Sequence, residues 1–167
     1  MSRGRARQYV AFGGDGWATG RNGGRVLRWK EEYATGVPRI DEQHRMLFQM
    51  GEDFRVALDE GGAERVYENL LDSHGLYVQA HFGLEERCMA ACSCPAGRRN
   101  SDAHARFIET LGAWRGRHDA HGYREGDARE LVDFLDRWLS GHIAGVDVEI
   151  RDYAAGLPAG WAASPTR

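Results

Sequence analysis

His81 and Glu85 stand four residues apart in the run HFGLEE, a spacing that places both side chains on one face of a helix. An imidazole nitrogen beside a carboxylate oxygen that can bridge two ions suits iron or manganese. Many helices carry such a pair by chance, so the pair indicates a metal site only together with further ligands elsewhere in the chain. Three further histidines occupy helical positions elsewhere, and an aspartate follows the last of them: His44, His104, His142 and Asp147.

A single histidine on an apolar helical stripe is usually a hydrogen-bonded core residue. Four such histidines, one in each of four predicted helices, favour a shared metal centre instead. Glu85 supports this interpretation, because a carboxylate on a core stripe is costly without a partner and a dication removes that cost. Histidine and carboxylate ligands without an obligatory thiolate favour iron or manganese over structural zinc.

Apolar residues recur at helical spacing in four segments, and no strand alternation of useful length is found. The first helix is expected to open at Asp41 as its N-cap and to end at Gly61 and Gly62. The others are predicted at about 64–91, 101–120 and from near Asp127. The helical pattern predicts an all-α protein, and short connections predict that neighbouring helices are antiparallel. Because each helix brings a metal-type ligand to its apolar stripe, we expect an up-down-up-down four-helix bundle with a metal centre in its core.

Charge is uneven along the 167 residues, which carry a net −3. Residues 1–28 hold six Arg, one Asp and seven Gly, and we interpret them as a flexible Gly/Arg-rich arm. Residues 29–153 are predicted to form the bundle, and residues 154–167, rich in Ala, Gly and Pro, a flexible tail. The modest net charge and the lack of a 20-residue apolar run predict no nucleic-acid partner and no membrane association. No signal peptide is recognised, which predicts a cytoplasmic protein.

Three cysteines fall within seven residues: Cys88, Cys92 and Cys94. This spacing does not make a disulfide framework and fits a reducing compartment. The cluster could bind a soft metal or form a redox disulfide, but small apolar residues at a helix end are the more usual interpretation.

Three segments together resemble the bacterial hemerythrins: WKEEYATGVPRIDEQH over residues 29–44, HFGLEERCM over 81–89, and WLSGHIAGVD over 138–147. They occur in the order found in that family, and the resemblance covers about residues 29–153. It implies a four-helix bundle that holds two non-haem iron ions joined by an oxo or hydroxo bridge and binds O2 reversibly. On this resemblance His44 and His81 bind the iron that keeps an open position for O2, His104 and His142 bind the other, and Glu85 and Asp147 bridge the two.

One position departs from the family pattern, which has two histidines four residues apart on the third helix. The second aligns with His104, and the first then falls at Asn100. The amide oxygen of Asn100 is a harder and weaker donor than imidazole, and water is the other candidate for that place. The second iron is therefore expected to be the weaker one.

Three functions stay open at this point. The favoured one is an O2-binding protein for storage, transport and delivery, or sensing, which is not an enzyme. The second is a di-iron enzyme that reduces peroxide, O2 or nitric oxide. The third is a regulatory protein with an altered centre that senses iron or redox state, through the three cysteines for example. Neither a protein partner nor the oligomeric state follows from the sequence.

Overall fold

Four helices account for most of the chain in the computed structural model, which describes residues 28–161 and two short preceding strands. The helices are α1 (Pro38–Asp59), α2 (Glu64–Ala91), α3 (Gly97–His121) and α4 (Glu125–Gly145). Helix α1 packs against α2 and α4, and α3 packs against the same two, which closes a four-helix bundle. The predicted all-helical fold class is confirmed.

The start of α1 differs from the prediction. The helix begins at Pro38, whose missing N–H is no loss in the first turn, and Val37 occupies the N-cap position. Asp41 therefore lies inside the first turn. Its Oδ1 accepts hydrogen bonds from the backbone N–H of Thr35 at 2.7 Å and from the Thr35 hydroxyl at 2.8 Å. The carboxylate thus ties the preceding loop to the helix. The prediction of Asp41 as the N-cap, which used only local sequence preference, was wrong and missed this contact.

The break between α2 and α3 falls where Pro95 and Gly97 predicted it, but α3 starts four residues earlier than expected, at Gly97. Ser93 has a φ of 54°, and its neighbour Cys94 donates its backbone N–H back to the Met89 carbonyl at 2.8 Å. This tight turn lets the next helix begin just after the proline. Asn100 consequently lies within α3, one turn before His104 and on the same face.

Apolar side chains of all four helices meet in the main core, where Leu47, Phe82, Phe107 and Leu135 are each 4% exposed or less. A second buried cluster closes one end of the bundle and is built around Ile40, Met89 and Ile150. Such burial removes the hydrophobic faces of the helices from water and is the main source of stability for bundles of this kind.

Both ends of the chain depart from a plain helical bundle. Strands β1 (Ala18–Thr19) and β2 (Arg25–Val26) pair antiparallel, with Ala18 opposite Val26, and were not predicted. The other residues of the predicted flexible arm before residue 28 lie outside the described part of the chain. After α4, 3₁₀ turns continue to Trp161, and Leu157 and Trp161 pack against the second cluster. Residues 162–167 lie outside the described chain, so the flexible arm and tail stay predictions.

Within the described chain, no helix combines the length and the apolarity that crossing a bilayer requires.

Candidate metal centre

Seven buried polar residues converge between the four helices at one end of the bundle. They lie near the start of α1 and α3 and near or just beyond the end of α2 and α4, as an antiparallel arrangement requires. None is more than 7% exposed. The seven are His44, His81, Glu85, Asn100, His104, His142 and Asp147. All of the residues predicted as ligands are thus brought together.

One half of the cluster is formed by His44, His81 and one oxygen of Glu85, whose ligand atoms lie within 4.8 Å of one another. Nε2 of His44 lies 2.9 Å from Glu85 Oε1, and Nε2 of His81 lies 3.7 Å from the same oxygen. Asp147 approaches this half as well, with Oδ2 at 3.5 Å from His44 Nε2.

The other half is formed by His104, His142, Asn100 and the second oxygens of the two carboxylates. Nε2 of His142 lies 3.1 Å from Asp147 Oδ1 and 3.1 Å from His104 Nε2. Nε2 of His104 lies 3.3 Å from Oε2 of Glu85. Asn100 adds its Oδ1 at 2.8 Å from His142 Nε2, so it occupies the position where the family resemblance placed an imidazole.

Glu85 and Asp147 each turn one oxygen toward each half of the cluster. Oε1 of Glu85 faces His44 and His81, while Oε2 faces His104. Asp147 divides its two oxygens in the same way, between His44 and His142. Two carboxylates in this arrangement are suited to bridge a pair of cations.

The cluster fits metal ions better than a network of hydrogen bonds. Both oxygens of Asp147 and Oε2 of Glu85 are buried without a hydrogen-bond donor among the described residues, which is costly unless a cation takes the place of the donor. Two donor atoms that each lie ~2.1 Å from one ion, at right angles to each other, are about 3.0 Å apart. The distances between neighbouring ligand atoms within each half are close to this value.

Burial and mutual proximity set the charges of the cluster. Burial lowers the pKa of His81 to about 3, which keeps its imidazole neutral and its lone pair free for a metal. Burial opposes ionisation of Glu85, yet the imidazoles of His81, His104 and His44 hold the pKa of that carboxyl well below its usual value. For Asp147, burial and then the charge of Glu85 raise the pKa. Cations between the two carboxylates would relieve this repulsion.

Two outer polar residues orient the ligand rings, and the sequence prediction missed both. Nδ1 of His81 lies 3.1 Å from Oε1 of Gln43, and Nδ1 of His104 lies 3.0 Å from Oε1 of Glu86. A hydrogen bond at Nδ1 leaves the Nε2 lone pair for the metal and fixes the ring orientation. The adjacency of Gln43 to His44 and of Glu86 to Glu85 was a usable signal, but it did not tell which rings these side chains reach.

Helix α4 ends at Gly145, between His142 and Asp147. Five residues rotate an ideal helix by about 140°, so a continuous helix could not turn both side chains inward. The Val146 N–H still bonds to the His142 carbonyl at 2.7 Å, and a 3₁₀ helix then starts at Asp147. The change in helix type brings both side chains into the centre without a π-bulge. Arg151 anchors this segment, since its Nε donates to the Ala34 carbonyl at 2.9 Å.

Two further histidines and the three cysteines lie outside the cluster. His118 packs edge-on against Tyr67, and His121 is exposed. The side chain of His74 falls outside the described part of the structure. Cys88 and Cys94 are buried beside the centre in the second apolar cluster, with Cys92 packed against it.

No sulfur belongs to the two groups of mutually close ligand atoms found in the described chain. The apolar surroundings of Cys88 and Cys94 match the interpretation of small apolar residues, and a redox role stays a prediction.

Comparison with known proteins agrees with this geometry. Residues 35–151 match the family model described as "Hemerythrin HHE cation binding domain". The chain therefore belongs to the hemerythrin family, and its buried cluster fits a metal site.

The relatives include a bacteriohemerythrin from Stenotrophomonas maltophilia, 29% identical over 130 residues, which cover 76% of this chain and 80% of the relative. A bacteriohemerythrin from Pseudomonas paraeruginosa is 32% identical over 124 residues, covering 72% and 76%. A myohemerythrin from Theromyzon tessulatum is 24% identical over 124 residues, covering 74% and 90%.

Proposed function

We propose that this protein binds O2 reversibly at a centre of two iron ions. The observation that carries the proposal concerns the carboxylates of Glu85 and Asp147. Each carboxylate turns one of its oxygens toward one half of the cluster and the other oxygen toward the other half. Two bridging carboxylates hold two ions close enough to act on one small molecule. Membership in the hemerythrin family supports iron as the metal.

The two halves have different numbers of protein donors. His44 and His81 with two carboxylate oxygens supply four, and His104, His142 and Asn100 with the other two oxygens supply five. An octahedral ion takes six ligands, so the half with fewer protein donors has more room for O2. Ferrous ions, when bound, supply the electrons that O2 binding requires.

The surroundings of the centre keep water away from it. Phe82 stacks on His104 with 3.5 Å between ring centroids, and Trp138 stacks on His142 at 4.3 Å. Trp29 lies beside His44, with 6.2 Å between ring centroids. Exclusion of water limits the loss of electrons to solvent-assisted side reactions and so favours release of O2 unchanged.

Anaerobic loading with Fe(II), followed by optical spectra under air and again under vacuum, tests the proposal. An absorption band that appears with O2 and bleaches under vacuum over repeated cycles is the expected result. Consumption of O2, peroxide or nitric oxide at a steady rate with an electron donor would instead establish the enzyme alternative. Failure to retain iron would favour the regulatory alternative.

Storage, transport and sensing share the same centre, and we infer a role in handling O2 without choosing among them. A cytoplasmic location is part of the proposal and is supported by three free thiols, which suit a reducing compartment.

A further inference from the structure

The donor sets of the two halves differ in chemical type as well as in number. Around His44 and His81, two imidazoles face one oxygen from each carboxylate. Around His104 and His142, two imidazoles face the second oxygen of each carboxylate and, in addition, the carboxamide oxygen of Asn100. The second half is thus richer in oxygen, with three oxygens to two nitrogens.

A structural role alone does not account for Asn100. The residue is fully buried, and its Nδ2 has no hydrogen-bond partner in the described chain, so no contact of the amino group orients the carboxamide. Its Oδ1 faces His142 Nε2, which also lies 3.1 Å from His104 Nε2 and 3.1 Å from Asp147 Oδ1. A single N–H on His142 could serve only one of these three atoms, whereas a cation placed between them would bind all of them.

Carbonyl and carboxylate oxygens suit manganese, while imidazole suits iron and the later metals. Replacement of an imidazole by a carboxamide oxygen therefore reduces the difference in affinity by which a site prefers Fe(II) to Mn(II). We propose that Asn100 makes the half around His104 and His142 the more manganese-tolerant one, so that Mn(II) enters this half in preference to the half around His44 and His81 when both metals are supplied. This inference rests on the proposed function only in requiring that both halves bind metal.

Competition between the two metals tests the inference. The full chain is loaded without oxygen from a solution of equal Fe(II) and Mn(II), unbound metal is removed, and metal per chain is measured by elemental analysis, with Mn(II) checked by electron paramagnetic resonance. Because Fe(II) keeps some advantage at both halves, the wild-type protein is expected to retain mostly iron, with a measurable manganese content of less than one ion per chain. Asn100→His is expected to raise the iron-to-manganese ratio roughly tenfold, because it restores the nitrogen donor.

Asn100→Asp is the matched control, since it keeps an oxygen donor of the same size and should keep or increase manganese uptake. If circular dichroism shows that Asn100→His does not fold, the manganese uptake of Asn100→Asp relative to the wild type still tests the inference. Two irons and no manganese in the wild type, or equal ratios in the wild type and a folded Asn100→His, would overturn the inference and leave the di-iron proposal intact. Retention of neither metal would overturn both.

Discussion

Nδ1 of His104 lies 3.0 Å from Oε1 of Glu86, whereas the corresponding atom of His81 lies 3.1 Å from the neutral Oε1 of Gln43. One ring therefore donates to a carboxylate and the other to a carboxamide. A carboxylate partner increases the basicity of a histidine ligand. The half of the centre that contains Asn100 thus has a compensating contact that the other half lacks.

Glu86→Gln should weaken metal binding in the half around His104. Loss of an outer partner of a histidine ligand typically lowers metal affinity by roughly 10–100-fold. Competition with a chelator of known affinity measures the change, and about one ion per chain should be lost first. Glu109→Gln, on the exposed surface of α3, the helix that carries His104, is the control. Equal metal retention by both variants would show that the contact with His104 does not tune the ligand.

Glu85→Ala should abolish metal binding in both halves, because one oxygen of this residue faces each of them. Metal-binding free energy adds to folding free energy. Iron at a hundredfold excess over its dissociation constant should stabilise the wild type by about 2.7 kcal/mol and leave the variant unchanged. Thermal unfolding with and without Fe(II) measures this. An unchanged spectrum and an unchanged metal-dependent shift in the variant would place the metal elsewhere.

Arg151→Ala should loosen the segment that carries Asp147. Arg151 Nε donates to the Ala34 carbonyl at 2.9 Å, and its Nη2 donates to the Glu32 carbonyl at 3.0 Å. Loss of these bonds should lower the free energy of unfolding by about 1 kcal/mol and speed the release of metal to a chelator. Denaturant unfolding and release kinetics measure the two effects. If exposed Arg137→Ala behaves in the same way, the anchor has no special role.

The three thiols should differ in reactivity in the folded protein. Burial, followed by the nearby thiols and Glu85, raises the pKa of Cys88 to about 12, and burial also raises that of Cys94. Because the thiolate is the reactive form, both should resist alkylation at pH 8, while partly exposed Cys92 reacts first. Mass spectrometry of iodoacetamide adducts measures the order, and denatured protein, in which all three react, is the control. Rapid labelling of Cys88 in the folded chain would contradict this.

Much of this protein is determined by local sequence. The 3.6-residue period predicted four helices, because a helix buries one stripe whatever it packs against. Glycine and proline marked their ends, since these residues alter backbone freedom locally. The four-residue spacing of His81 and Glu85 placed both on one face before any partner was known. Termination of α4 before Asp147 also followed from spacing, because five residues rotate the helix away from the centre.

Only the tertiary structure decided which atoms meet. Asp41 bonds to Thr35 instead of capping α1, and Glu86 reaches His104 on another helix. The position of Asn100 beside His142 joins residues 42 apart in the chain. Such contacts depend on how the helices are rotated and shifted against each other, which the packing of whole side-chain surfaces determines. Sequence periodicity identifies the buried face of a helix, whereas the packed bundle determines which atoms on that face meet.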